Sequence, residues 1–170
     1  MYLLLIVIAY ILIAIKFMNW SRWKEYYPTI QFYVIGDLLY NFVFYHHTLW
    51  AYKGASWKWL NHTFISLTFT FTVIPIALMF FLQYYPKGKK RFLYLFLWVL
   101  YFTLLELFFS KIGLFVYDNG WNLWWSALFN VVTFSMISLH FKKPVVALII
   151  SVPLIAVLLL FFHPLLHELK

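Results

Sequence analysis

An all-α, polytopic transmembrane bundle is the fold class this sequence predicts, and three observations predict it. Hydrophobic residues make up 65% of the 170 and charged residues only 11%, against roughly 45–50% and about 25% in soluble domains. Six long apolar runs follow one another with short gaps. The basic residues cluster in those gaps. A chain this apolar cannot cover a water-facing surface, so its solvent is largely hydrocarbon, where closed backbone hydrogen bonding favours helices.

A span needs about 20 apolar residues at about 1.5 Å rise each. The runs predict spans over 1–18, 30–50, 63–83, 92–115, 121–140 and 144–162, forming a single integral membrane domain over 1–170. The first run, Met1 to Ile15, has no basic stretch before it and no small-residue cleavage site after it. It is therefore expected to be a retained helix, not a cleaved signal. The short connections predict antiparallel neighbours.

Lys16, Arg22, Lys24, Lys87, Lys89, Lys90, Arg91, Lys142 and Lys143 fall in the first, third and fifth connections. Lys53, Lys58, Lys111 and Lys170 fall on the other side. The positive-inside rule then puts Pro86–Arg91 in the cytosol and both termini outside the cell membrane. With a formal net charge of +8, the expected partners are membrane lipids, with anionic headgroups at the cytosolic basic loop, and not nucleic acid. A partner membrane subunit or a homo-oligomer is also compatible with the layout. The absence of cysteine removes disulfides and thiolate chemistry.

Trp20, Trp23, Tyr26 and Tyr27 mark the predicted inner interface, and Trp50, Trp57, Trp59, Tyr117, Trp121, Trp124 and Trp125 the outer one. The outer loops around Tyr52–Trp59 and Tyr117–Trp124 look alike. Asn119-Gly120 signals a tight turn. The tryptophans after it are expected to anchor a helix end, the alternative being a lid over an outward pocket.

Polar groups inside the spans carry the functional expectations, because each is costly in hydrocarbon. Glu106 falls about 21 Å up a core of about 30 Å. Ser110 and Gly113 are expected on its face, and dehydration favours its neutral, hydrogen-bond-donating form. Asn41 and Asn130 come to similar depth. Together they form either interhelical hydrogen bonds or a ligand or proton site.

Asp37, one turn before Asn41, is expected to pair with a basic residue at the inner interface, the alternative being a proton relay. Thr63, Ser66, Thr68, Thr70 and Thr72, with Pro75, look like packing and kink residues. His46, His47, His62, His163 and His167 map to the outer side. The tail HPLLHE at His163–Glu168 places two imidazoles one turn apart if helical, but nothing fixes convergence on a metal, and none is expected. No phosphate loop, nucleophile elbow or mid-span bis-histidine pair occurs, so no cofactor is indicated.

With these residues laid out, the chain resembles an uncharacterised family of small six-span membrane proteins from Gram-positive, spore-forming bacteria. The likeness covers nearly the whole length. It rests on NFVFY at Asn41–Tyr45 before Leu49-Trp50, on Asn61-His62-Thr63, and on Phe81-Leu82 followed by PKGKKR at Pro86–Arg91. Glu106 with Gly113, Gly120-Trp121-Asn122 with Trp125-Ser126, and His140 with Lys143-Pro144 complete it. The resemblance implies a bacterial inner-membrane location without assigning an activity. It adds weight to Asn41, His62, Glu106, Trp121 and His140, and none to the HPLLHE tail.

The expected function is a binding or accessory membrane protein with a polar site in its outward half. One alternative is an intramembrane enzyme acting on a lipid or isoprenoid, with Glu106 as acid or base and His62 assisting. Another is a small proton-coupled transporter using Asp37 and Glu106, with Pro75 and Pro153 breaking helices.

Overall fold

A computed structural model describes residues 2–53 and 61–162. The described residues form six helices and one short two-stranded ribbon. Helix α1 (Tyr2–Phe17) leads through a tight turn into α2 (Trp23–Val43). Strand β1 is Trp50–Tyr52. Helix α3 (His62–Gln83) precedes α4 (Lys90–Lys111), strand β2 (Phe115–Tyr117), α5 (Leu123–Lys142) and α6 (Pro144–Phe162). This is the all-α, multi-pass architecture of a membrane-embedded chain.

Helices α3, α4, α5 and α6 are each long and apolar enough to cross a membrane. Helices α1 and α2 meet that test only together, and they bend by 94° at their junction. The reason is composition. Helix α1 has only 16 residues, or about 24 Å at the standard rise, and α2 carries Lys24, Glu25 and Asp37.

Two spans end earlier than the sequence predicts. Helix α2 stops at Val43 instead of continuing to Trp50, and α4 stops at Lys111 instead of Phe115. The cause at α4 is Gly113, which adopts φ +74°, so the chain turns left-handed. Leu114 N–H then bonds the Phe109 carbonyl at 2.9 Å and Gly113 N–H the Ser110 carbonyl at 3.1 Å, closing the helix in a Schellman turn. Gly113 is thus a helix stop and does not share a helical face with Glu106.

The residues freed from those two helices pair instead with each other. Trp50, Ala51 and Tyr52 lie antiparallel to Tyr117, Val116 and Phe115. The ribbon is pinned at its tip, where Asp118 N–H bonds the Leu49 carbonyl (2.8 Å) and the Asn119 amide bonds the Thr48 carbonyl (2.8 Å). The expected tight turn is present, with Asn119 at φ +49° and Gly120 at φ +81°. Asn61 and Asn122 cap α3 and α5 with their side-chain oxygens.

The middle of α3, Phe69–Val73, is a π turn. Pro75 explains it, because it has no N–H to return to Phe71 and the ladder shifts by one residue. The helix stays continuous through this turn. Pro153 lies inside an unbroken α6, so neither proline breaks its helix.

One apolar core, built on Tyr26, Leu78, Phe81, Phe134 and Ile137, joins α1, α2, α3 and α5. A second, built on Phe44, Leu49 and Trp121, lies under the ribbon. The connections between α1 and α2, between α3 and α4, and between α5 and α6 meet at one end of the bundle. There Asn19 N–H bonds the Gln83 side chain at 2.8 Å, and the Lys142 ammonium lies 4.8 Å from the centre of the Tyr85 ring. This is the basic end. The ribbon marks the other.

Candidate functional site

Helix α2 runs antiparallel to α3, which sets Asp37 opposite Thr70 and Asn41 opposite Ser66. The Thr70 hydroxyl donates to Asp37 Oδ2. Asn41 Nδ2 donates to the Asp37 carbonyl at 2.8 Å and lies 3.4 Å from Asp37 Oδ2. Ser66 Oγ reaches Asn41 Oδ1 at 3.4 Å. The expected basic partner of Asp37 is not there. Arg22 and Lys24 sit more than three turns below it, and Arg22 pairs with Glu25 at 2.8 Å. The hydroxyls of α3 therefore do more than pack: the π turn delivers Thr70 to a carboxyl group.

Glu106 stands across the ribbon end on α4. Ser126 on α5 and Tyr117 on β2 flank it. Trp121 is only 5% exposed, and its indole N–H donates to Ser126 Oγ at 2.7 Å. That bond uses the serine as acceptor and leaves its hydroxyl hydrogen available to Glu106. Trp121 also packs on Trp50 at 5.1 Å and on Phe162 at 4.9 Å. It is turned inward against the ribbon and α5, away from an anchoring position at the surface. Trp124, 83% exposed, has the anchoring position.

Glu106 Oε1 and the Tyr117 hydroxyl are both buried and lack a well-formed hydrogen bond; the group each has beside it is the other. Such an atom costs about 1–3 kcal/mol relative to a satisfied one. Burial pushes the Tyr117 hydroxyl above its ordinary pKa, and the neighbouring Glu106 adds to the rise.

Tyr52 links the two carboxyl groups. Burial raises its pKa, and both Asp37 and Glu106 contribute through their charge. Its backbone N–H donates to His62 Nδ1 at 3.1 Å, and its ring lies parallel to Phe69 of the π turn at 5.2 Å. That bond fixes the His62 tautomer, with the proton on Nε2. Asp37, Tyr52, His62, Glu106, Tyr117 and Trp121 thus form one polar layer beneath the ribbon, with no lysine or arginine bonded into it among the described residues.

Two expected site residues lie elsewhere. Asn130 faces Thr103 at 3.4 Å, an α5–α4 contact of the interhelical kind. His140 is buried at the basic end, where Nδ1 meets the Thr29 hydroxyl at 3.0 Å and the ring stacks on Phe32 at 4.3 Å. The sequence reading missed Tyr52, Thr70, Tyr117 and Ser126 as site residues. The likeness of the Tyr52 and Tyr117 loops was the available signal, since those tyrosines sit at opposite ends of the paired strands.

Among the described residues no three histidines or acids gather as metal ligands. Trp57, Trp59, Lys58, Lys170 and the HPLLHE tail lie outside them. No family model, no curated protein and no solved structure matches this chain.

Proposed function

We propose that this chain is a six-span cell-membrane protein that binds the polar head of a small amphiphile at the layer beneath its ribbon. It acts as a binding or accessory subunit. The observation that carries the reading is the buried pair of Glu106 Oε1 and the Tyr117 hydroxyl, which adjoin each other without a well-formed bond. A ligand hydroxyl or amide entering between them would satisfy both, which gives specificity for a hydrogen-bonding head. The aromatic wall of Trp50, Tyr52 and Trp121 suits the apolar body behind it.

Six spans follow if α1 and α2 each cross. Helix α2 travels from Tyr26 beside Phe141 at the basic end to Asn41 beside Ser66 near the ribbon. Helix α1 climbs from Asn19 at Gln83 to Tyr10, whose hydroxyl meets that of Tyr101 at 2.8 Å, with eight described residues still above it. The basic end then faces the cytosol.

Native mass spectrometry from nanodiscs made with the host's lipid extract tests the binding. A bound amphiphile that is retained by the wild type and lost in both Glu106→Gln and Tyr117→Phe, with folding intact, is the expected result. Retention in both variants overturns the reading. Conversion of the bound species, abolished by Glu106→Gln, would establish the enzyme alternative instead. The bond from Tyr52 N–H to His62 Nδ1 favours binding, because it uses the histidine nitrogen that would accept a proton.

A further inference from the structure

A second recess lies away from that polar layer, on the flank where α1 and α4 meet over α3. It has a volume of about 360 Å³ and is lined by Tyr10 and Ile13, by Ile76, Ala77 and Phe80, and by Tyr94, Leu97, Trp98 and Tyr101. That volume falls within the roughly 300–1,000 Å³ of small-ligand sites. The lining is almost wholly apolar.

The recess has two unlike ends. Toward the ribbon, the hydroxyls of Tyr10 and Tyr101 bond at 2.8 Å and tie α1 to α4. Toward the basic end, charges lie in helical register with its walls. Lys16 lies one helical turn beyond Ile13 on α1. Lys90 and Arg91 lie one turn before Tyr94 on α4, and one heptad before Leu97 and Trp98. All three basic side chains are exposed. The Arg22–Glu25 bridge, the ion pair among the described residues, does not involve them. An apolar slot of this size with three exposed cations one turn beyond its walls matches a single chemistry: an acyl chain with an anionic phosphate head at the headgroup level of the basic end.

We infer that this flank is a binding site for one anionic phospholipid. Its acyl chain lies between α1 and α4 against Ala77 and Phe80, and its phosphate lies against Lys16, Lys90 and Arg91. A zwitterionic lipid has the same chain but gains less from the cations. The site is independent of the polar layer, so Glu106→Gln leaves it unchanged.

The test uses the full chain in nanodiscs of equal phosphatidylglycerol and phosphatidylcholine, followed by native mass spectrometry. One tightly retained phosphatidylglycerol per chain is expected. Each of Lys16→Gln, Lys90→Gln and Arg91→Gln should lower its retention, by about fivefold per charge. Ile13→Trp, at an exposed wall position, should fill the slot and abolish retention of that lipid. Should Ile13→Trp not fold, tryptophan quenching decides the matter: phosphatidylglycerol brominated on its chains should quench wild type more than Trp98→Phe, and brominated phosphatidylcholine should quench the two alike. Equal retention of the two lipids by wild type, retention by folded Ile13→Trp, or identical quenching of wild type and Trp98→Phe would overturn the inference.

Discussion

The two ends of the bundle are built from the same kinds of residue by opposite means. At the basic end most polar contacts are exposed, the buried exception being His140 with Thr29. Arg22 bridges Glu25 three residues away, Asn19 caps its own turn, and Lys142 rests on a tyrosine ring. At the ribbon end, polar groups are drawn inward from separate elements: Asp37 from α2, Thr70 from α3, Glu106 from α4 and Ser126 from α5. A charge at the first end keeps its water. Each buried polar group must find a partner in protein: at the ribbon end Glu106 Oε1 and the Tyr117 hydroxyl have only each other, and at the basic end the buried Tyr26 hydroxyl has none. An exposed carboxylate, Glu25, against two half-buried carboxyl groups, Asp37 and Glu106, is the difference that makes the ribbon end the candidate site.

If that contrast is real, substitutions at the ribbon end destabilise far more than those at the basic end. The largest effect is expected at Trp121. Truncation to alanine removes its packing on Trp50 and Phe162 and takes the indole donor from Ser126. A loss of about 3–5 kcal/mol is expected in a detergent unfolding titration. A loss below about 1 kcal/mol would mean that the ribbon is not coupled to the helices under it.

Next comes Thr70→Val, which keeps the shape of the side chain and removes the donor to Asp37. Leaving that carboxyl group short of a partner should cost about 1–3 kcal/mol. The paired variant Asp37→Asn with Thr70→Val separates the bond from the π turn. If their effects add without interaction energy, the bond contributes nothing and the turn alone positions Thr70. Gly113→Ala is expected to cost about 1–2 kcal/mol. A Cβ there meets nothing within 4 Å, so the penalty is the positive φ alone.

How much of this contrast was legible in the sequence depended on whether the signal was local. Helix existence was legible because apolar length is a local property, and α3, α5 and α6 begin and end within a few residues of the predicted spans. The ribbon was not, because WAY and FVY read as continuations of apolar helices. Only the left-handed Gly113 and the pairing of two distant segments separate them. Glu106 and Asp37 were legible as costly intruders in hydrocarbon. Their partners were not, since serine and threonine on a membrane helix look the same whether they bond their own backbone, as Thr68 does to Phe64, or a carboxyl group. Trp121 was read as an interfacial anchor for the same reason: its depth was visible from sequence, its inward direction was not.

The smallest expected effect belongs to the basic end and completes the comparison. Arg22→Gln breaks the bridge to Glu25, whose partners are about half exposed (48% and 45%). It should leave the unfolding midpoint unchanged within error, since water and salt replace what the bridge supplied. What the charges of this end should govern is orientation. The chain has no cysteine, so Lys87→Cys and Lys53→Cys each introduce one labelling site. In intact cells an impermeant maleimide should reach position 53 and not position 87, and inverted vesicles should reverse the pattern. Labelling of both positions from one side would place the α3 and α4 ends together. It would dissolve the distinction between a cytosolic basic end and an outward site, whatever the stability of Arg22→Gln.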